Sequence, residues 1–349
     1  NTTKDLLMKT AIPGITGFTS TYANVGQTSN KGIEFALQGV LVKTRDWNVT
    51  AGFNINFNRG KVDKLADNVT GLYGTEWATS STFPKSDYVL KEGRPVGLVR
   101  GLTADGFYTT DDFTYENGVY TLKEGVADVS SAVFPNYHLH NGMNERPAGQ
   151  LAYPGMAKFK DLNDDGIIND DDVDVIGDMT PVHTGGFNIN ATYKNFDLGL
   201  YFNWSYGNEI YNVNKLAALY GYKEGAVYEN KLSIVKDCYK IYDVVNGELV
   251  ALTTPEQLNA ANANAKLPLA YSENGYVSTL GIEDGSYLRL NTLTLGYTLP
   301  KSMLQKAGIS NLRVYGSIYN VFTITGYSGI DAEVSTSTST KTYPQLGMD

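Results

Sequence analysis

The sequence feature that most constrains the fold is a pair of adjacent segments in which apolar and polar residues alternate. The first runs from Thr184 to Tyr193, the second from Phe196 to Tyr206, and only a tight turn fits between them. Because successive side chains of a strand point to opposite faces, each segment is predicted to be a strand with one apolar and one polar face. Each has about ten residues, the length of a tilted strand that crosses a bilayer. The pair predicts a hairpin of a membrane β-barrel, although a soluble sheet can show the same pattern.

The same alternation recurs in four further segments, which are therefore also predicted to be strands. They span residues 33–41, 47–57, 287–299 and 312–324. The first two are joined by a short charged turn and form a second hairpin. Between Leu290 and Leu293 the apolar phase slips, which predicts a bulge or a change of pairing. Residues 1–27 are predicted to be irregular.

Two long excursions, residues 59–183 and residues 207–286, interrupt the series of strands. Outer-membrane barrels join their strands by short periplasmic turns and long external loops, whereas the turns of a β-sandwich are more evenly spaced. The uneven connections favour an all-β fold, an antiparallel transmembrane β-barrel with extracellular excursions. Within the second excursion, Thr254 precedes Pro255 and lies three residues before Gln257, which predicts a short capped helix.

Composition excludes several classes of protein. With 42% hydrophobic and 19% charged residues the chain is not disordered, and no apolar run is long enough for a transmembrane helix. The net charge of −9 argues against a nucleic-acid partner. The single cysteine, Cys238, excludes a disulfide within the chain. The first residues lack the apolar core of a signal peptide, which leaves a cytosolic protein or a piece of a longer one, and we favour the piece.

One acidic loop, residues 161–172, follows the spacing of a calcium-binding loop. Oxygen ligands at its first, third and fifth positions converge on one cation, and a glycine at the sixth permits the sharp turn. The expected ligands are the side chains of Asp161, Asn163, Asp165 and Asp172 and the backbone carbonyl of Ile167. No second loop pairs with this one, so a Ca²⁺ ion is expected to stiffen an external loop rather than to regulate. A solvated cluster of Asx turns is the alternative.

No set of residues indicates catalysis, and we predict that the chain is not an enzyme. It contains no Gly-rich phosphate loop, no nucleophile elbow and no pair of carboxylates with a telling arrangement. His138 and His140 could reach one metal ion, but no third ligand follows at a useful spacing. Trp77 lies in the first excursion, where it could stack on a ligand.

Several segments together resemble the SusC/RagA-type TonB-dependent transporters. They are Asn30–Phe35, which is similar to that family's Asn-Lys-Gly-x-Glu strand, Trp47–Asn58, Phe159–Ile168, Ile176–Asp178 with Pro181, Tyr287–Pro300 and Asn320–Thr323. They follow the family's order over nearly the whole chain. The resemblance implies the C-terminal part of a barrel of about 22 strands, without the plug and the closing strand.

The resemblance also implies a function. It implies import of an oligosaccharide, or as the second candidate a peptide, across the outer membrane of a Gram-negative bacterium, driven by TonB through the plug. It further implies contact with outer-membrane lipid, a SusD-type lipoprotein over the external mouth, and a dimer of transporter–lipoprotein pairs. The excursions would supply a lid and substrate contacts, but the spacing of loop aromatics such as Trp77, Tyr108 and Tyr137 singles out no substrate residue.

The chief alternative is a soluble, calcium-stabilised β-sandwich that binds carbohydrate. The two folds differ in the fate of the apolar strand face, which is buried between two sheets in a sandwich and exposed in a barrel. A glycosidase, which needs two carboxylates that face each other across a cleft, ranks third.

Overall fold

The computed structural model describes residues 1–11, 20–66, 71–73, 87–131, 146–220, 232–270, 277–305 and 308–333. The chain begins with three long strands, β1 (Thr2–Ala11), β2 (Ser20–Lys43) and β3 (Trp47–Leu65). β1 pairs antiparallel with the first part of β2, so the prediction that residues 1–27 are irregular is wrong. The sequence of β1 does not alternate, so the periodicity that predicts the other strands gives no signal for this one.

The first excursion folds into short strands. They are β4 (Leu72–Tyr73), β5 (Tyr88–Val89), β6 (Leu98–Gly101), β7 (Ala104–Phe107), β8 (Phe113–Glu116), β9 (Val119–Leu122), β10 (Asp128–Val129), β11 (Ala157–Phe159), β12 (Ile167–Ile168) and β13 (Asp174–Asp178). Short 3₁₀ helices lie at Thr110–Asp112 and Asp170–Asp172. The strands form one four-stranded sheet, in the order β13-β6-β5-β4, and three two-stranded ribbons.

The predicted central hairpin follows as β14 (His183–Tyr193) and β15 (Phe196–Tyr206). The second excursion contains β16 (Glu209–Tyr211), helix α1 (Val213–Tyr220), β17 (Tyr242–Val245), β18 (Glu248–Ala251), helix α2 (Pro255–Asn262) and β19 (Ile282–Asp284). Two 3₁₀ helices lie at Ser233–Asp237 and Thr279–Gly281. The chain returns as β20 (Tyr287–Thr298), helix α3 (Lys301–Leu304) and β21 (Arg313–Thr325). No helix in these described stretches is long and apolar enough to cross a membrane.

The predicted helix cap in the second excursion is confirmed. Helix α2 begins after Thr254, whose hydroxyl accepts a hydrogen bond from the backbone N–H of Gln257 at 3.4 Å. The Gln257 side chain in turn accepts a hydrogen bond from the backbone N–H of Thr254 at 3.2 Å. This reciprocal pair satisfies backbone donors that the first helical turn leaves without a partner.

The long strands form a single antiparallel sheet of seven, in the order β1-β2-β3-β14-β15-β20-β21. One row across six strands shows how the register aligns the apolar face. It contains Leu37, Phe53, Phe187, Phe202, Leu290 and Phe322. The pairing shifts between Leu290 and Thr292 against β21, and between Tyr201 and Phe202 against β20, so the predicted bulge is confirmed.

The apolar face of this sheet is uncovered by the described residues. Ile33 is 74% exposed, Val314 61% and Leu295 53%, although all three are large aliphatic side chains in regular strands. In a β-sandwich these side chains would be buried against a second sheet. The exposed face is therefore that of a barrel wall and not that of a sandwich.

The opposite face is polar and rich in amides. Asn54, Asn203 and Arg289 lie in one cross-strand row, with Gly186 between the two asparagines. Asn190 Nδ2 donates to Asn188 Oδ1 along β14 at 3.1 Å. A hydrated interior, rather than a packed core, suits such a face.

The two excursions pack together into one buried core at one end of the sheet. The first contributes Leu102, Tyr108 and Phe159, and the second contributes Leu216, Leu258 and Val277, among others. Backbone bonds join them, because Leu102 N–H donates to the Val277 carbonyl at 2.9 Å and Thr279 N–H to the Leu102 carbonyl at 3.1 Å. The excursions thus form one cap, which we define as the packed residues of 87–179 and 207–286.

Candidate functional site

A cavity of 460 Å³ lies where the sheet meets the cap. This volume is within the range of about 300–1,000 Å³ that is usual for small-molecule sites. The lining residues come from the strand ends, from both excursions and from the segment after β21; they are Tyr88, Gly97, Met179, Pro181, Thr184, Ser205, Asn208, Glu209, Ile210, Tyr211, Tyr287, Ala332 and Glu333.

The lining residues that belong to the seven-stranded sheet all lie on its polar face. Thr184 pairs with Ser205, and Ser205 pairs with Tyr287, so the three side chains form one row at the cap end of β14, β15 and β20. Asn203 and Arg289 form the next row on the same face. The cavity therefore opens on the polar side of the sheet, directly beneath the cap.

Three aromatic rings and two carboxylates stand out in a lining that is mainly apolar. The rings of Tyr88 and Tyr211 meet edge to face with centroids 6.4 Å apart, and Tyr287 adds a third ring. Burial raises the pKa of the Tyr88 hydroxyl above its ordinary value, so this group stays protonated and can donate a hydrogen bond. Glu209 and Glu333 supply the two carboxylates, and Glu209 accepts a hydrogen bond from the Asp178 N–H at 2.6 Å.

Arg289 lies next to the cavity and is only 6% exposed. Its Nε donates to Thr323 Oγ1 at 3.0 Å, its Nη1 to Glu333 Oε2 at 2.9 Å, and its Nη2 to Asp331 Oδ1. Its guanidinium also lies over the ring of Tyr287. A buried guanidinium needs such paired acceptors, because an uncompensated charge in a protein interior is strongly unfavourable.

The carboxylates that bind Arg289 belong to residues 326–333, the segment that we name the strap. Within it, Tyr327 and Ala332 are buried against Ile210 of β16. The Ser328 hydroxyl lies 2.8 Å from Glu283 Oε1, and the Ser328 N–H donates to Glu283 Oε2 at 2.8 Å. The strap therefore contacts both the sheet and the cap, and two of its residues line the cavity.

The first half of the predicted calcium loop is brought together around one turn. The Asp161 carboxylate accepts hydrogen bonds from the N–H groups of Asp165 and Gly166 at 3.2 and 2.7 Å. Asn163 Oδ1 accepts from the Asp165 N–H at 3.1 Å, and Asp165 Oδ1 accepts from the Ile167 N–H at 2.9 Å. Asn163 and Asp165 are exposed at the loop surface, and Asp161 is half-buried.

The last predicted ligand has a different environment. Asp172 is fully buried, and its two oxygens accept hydrogen bonds from the N–H groups of Leu162 and Asn169 at 2.7 and 2.8 Å. Among the described residues, no three His, Cys, Asp or Glu side chains are grouped so that they could hold a metal ion. Calcium binding by Asp161, Asn163, Asp165, Ile167 and Asp172 stays a prediction.

The aromatic residues that the sequence suggested as ligand contacts or packing residues lie in different environments. Tyr108 is fully buried in the cap core, where its hydroxyl donates to the Ala127 carbonyl at 2.6 Å, so it is a core residue rather than a free loop aromatic. Trp47 packs against Tyr193 at the short-turn end of the sheet, with ring centroids 4.4 Å apart. Trp77, Tyr137, His138 and His140 lie outside the described residues.

Comparison with known proteins identifies the sheet. No family model matches the chain. TonB-dependent receptor P3 of Formosa agariphila is 30% identical over 336 residues, which are 95% of this chain and 28% of that protein. TonB-dependent receptor SusC of Bacteroides thetaiotaomicron is 26% identical over 351 residues, 98% of this chain and 28% of that protein. This chain is a homologue of the SusC-type TonB-dependent receptors.

The structures of such receptors agree with the fold. The RagAB peptide importer in its closed-closed state superposes with a TM-score of 0.63 at 23% identity, over 95% of this chain and 30% of that one. The seven-stranded sheet is accordingly part of a TonB-dependent receptor barrel, and its exposed apolar face is the outer surface of the wall. The chain spans less than a third of the length of the curated receptors that it matches.

Sequence reasoning missed the cavity between the sheet and the cap. Its residues come from five separate parts of the chain, and no spacing within one part marks them. One signal was present, because Arg289 is a charged residue at a polar position of a predicted strand, close to the cap end. A lone charge there predicts a partner on the same face, but the sequence does not show that the partners are Asp331 and Glu333.

Proposed function

We propose that a receptor containing this chain imports an oligosaccharide across the outer membrane of a Gram-negative bacterium. The observation that carries the proposal is the exposed apolar face, continuous over six strands, with an amide-rich face behind it. Outer-membrane lipid covers the first face, and the hydrated lumen adjoins the second. Homology to TonB-dependent receptors supports the same function, with TonB supplying the drive through the plug.

The cavity chemistry favours an oligosaccharide as substrate. Tyrosine rings present apolar faces that stack on a sugar ring, and carboxylates accept hydrogen bonds from sugar hydroxyls. Three tyrosines and two glutamates line the cavity. A peptide is the second candidate, in line with the name of the RagAB peptide importer, which shares the fold.

The proposal includes partners and excludes catalysis by this chain. A SusD-type surface lipoprotein covers the external mouth of the barrel, and two transporter–lipoprotein pairs form a dimer. The cap, which lies beside the cavity, supplies contacts to this lipoprotein and to the substrate. The curated relatives are named as receptors and not as enzymes.

A structural calcium ion in the loop 161–172 completes the proposal. Asp161, Asn163 and Asp165 surround one turn, and the last two are exposed, which fits the first three ligand positions of such a loop. The buried Asp172 already holds the end of the loop through two backbone N–H groups, so the ion would add rigidity to a loop that is partly fixed.

Fractionation of the full-length protein from its native cell, followed by an uptake assay, tests the function. The protein is expected in the outer-membrane fraction, with a gel mobility that changes on boiling. Deletion of its gene is expected to abolish growth on one oligosaccharide while growth on the constituent monosaccharide continues. A protein that stays soluble without detergent would contradict the transport function. Loss of growth on peptides alone would replace the oligosaccharide by the second candidate.

A further inference from the structure

We propose that the strap is a movable cover of the cavity and that Arg289 is the latch that holds it closed. The strap contributes Ala332 and Glu333 to the cavity wall. The inference rests on the proposed function in taking the cavity as a place that substrate enters. It does not depend on which substrate is carried.

The strap begins directly after β21, and this end of it is also fixed to the cap. Ser328 is bound to both oxygens of Glu283 at 2.8 to 2.9 Å. Glu283 is itself paired with Lys215 of helix α1 at 2.8 Å. Asn212 Nδ2 also donates to the Ser328 hydroxyl, at 3.4 Å. This end is therefore held in place by β21 on one side and by the cap on the other.

The other end of the strap is fixed to the barrel wall chiefly by charge. Asp331 and Glu333 bind the guanidinium of Arg289, and the strap adds a small apolar cluster in which Tyr327 and Ala332 pack with Ile210 and the partly buried Tyr287. So small an apolar cluster contributes little compared with two hydrogen bonds to a buried guanidinium. Arg289 thus determines how firmly the strap closes.

The two sides of the latch differ in their access to water. The Arg289 side chain is 8% exposed, whereas the side chains of Asp331 and Glu333 are 31% and 50% exposed. When the strap lifts, its carboxylates pass readily into water, and the guanidinium stays behind in the wall. A latch of this kind opens if the guanidinium finds another acceptor.

Asn203 provides that second acceptor. It lies directly opposite Arg289 on β15. Its Oδ1 is buried and accepts no hydrogen bond from the described residues, while its Nδ2 donates to the Tyr287 hydroxyl at 3.5 Å. With the strap open, Arg289 can donate to this oxygen, so the wall holds two alternative sets of partners for one charge. Two alternative pairings are what a two-state device requires.

Access to the cavity can be measured in the full-length protein in detergent. Ser205, which lines the cavity and is 9% exposed, is replaced by Cys in a background without other cysteines, and its rate of reaction with a maleimide is followed. Arg289→Gln removes the latch and is expected to increase this rate about tenfold or more. Asp331→Asn with Glu333→Gln removes the other half of the latch and is expected to have the same effect.

Arg313→Gln is the matched control. Arg313 also forms a two-pronged pair with a carboxylate on the polar face, but at the opposite end of β21 from the strap. It is expected to leave the rate at Ser205→Cys unchanged. The cover is refuted if the double variant of the strap leaves the rate unchanged, or if Arg313→Gln raises it equally. Either result is independent of where the protein fractionates, so the transport function is judged separately.

Discussion

Arg313 forms a bidentate salt bridge with Asp197 across an intervening strand. The guanidinium on β21 donates from Nε and Nη2 to the two carboxylate oxygens on β15, at 2.9 and 2.5 Å. β20 runs between them, and it places Gly296 opposite Asp197. The pair is possible because a glycine leaves the space above the middle strand open.

Gly296→Ala is expected to destabilise the barrel wall by about 1–3 kcal/mol, the usual cost of forcing extra atoms into a filled space. A Cβ at this position would lie 2.5 Å from both Asp197 oxygens and 2.6 Å from Arg313 Nη2. The measurement is urea-dependent loss of the heat-modifiable band. Gly316→Ala on β21, where no atom lies within 4 Å of the new Cβ, is the control and is expected to change nothing. Equal effects of the two changes would contradict the steric account.

Gly101→Ala is expected to separate the two halves of the cap. The new Cβ would meet the Val277 carbonyl oxygen at 2.4 Å and Ile176 Cδ1 at 2.8 Å, at the point where the two excursions join. Limited proteolysis should then cut within residues 87–179 and 207–286 faster than in the unaltered protein, while the wall stays resistant. Gly39→Ala, in the wall and free of contacts, serves as the control. Unchanged proteolysis would show that the junction tolerates a methyl group.

Acid is expected to loosen the cap end of the strap. Burial opposes ionisation of Glu283, but hydrogen bonds from Lys215 and Ser328 outweigh it, so the pKa of this carboxyl is lowered from 4.5. A lowered folded-state pKa means that the stabilisation is complete above pH 4.5 and is lost as the pH falls through the folded value. The protection of the strap amides, which is the intrinsic exchange rate at each pH divided by the observed rate, should therefore fall in acid. In the Glu283→Gln variant the strap amides should be less protected at neutral pH, and their protection should no longer depend on pH in this range. If the variant keeps the pH dependence, another group causes it.

Calcium is expected to bind the loop 161–172 with a dissociation constant of about 10⁻⁴ to 10⁻³ M, the range of extracellular calcium modules. Asp161→Ala with Asp165→Ala should abolish the heat of binding in calorimetry, because each removes an exposed oxygen donor at one turn. Asp243→Ala, an exposed aspartate elsewhere in the cap, is the control and should bind as before. If the unaltered protein gives no heat of binding, the loop does not bind calcium and is a set of Asx turns.

The wall was predictable from sequence and the cap was not. Six strands and the bulge near Leu290 follow from alternation, because lipid on one side and water on the other favour a period of two in those wall strands. β1 carries no such pattern and was missed. The shared core was missed as well, because Leu102 and Val277 meet through contacts that no local periodicity encodes.

The candidate site was likewise predictable from sequence only in part. The acidic loop was recognised because its predicted ligands fall within twelve consecutive residues. Arg289 was predicted only as part of a strand, and its partners Asp331 and Glu333 lie after the last predicted strand. The charged cluster joins Arg289 of a wall strand to Asp331 and Glu333, more than forty residues later. No short spacing in the sequence marks residues so far apart.

The single core shared by both excursions has a consequence for engineering this receptor. Neither excursion alone contains the residues that bury Leu102, Leu216 and Val277 together. In a chimaera that receives only one excursion from a relative, the core residues of the new excursion would face core residues of the other excursion that do not match them in shape. A stable chimaera should therefore require that both excursions, together with the strap that contacts the cap and the wall, are exchanged as one piece.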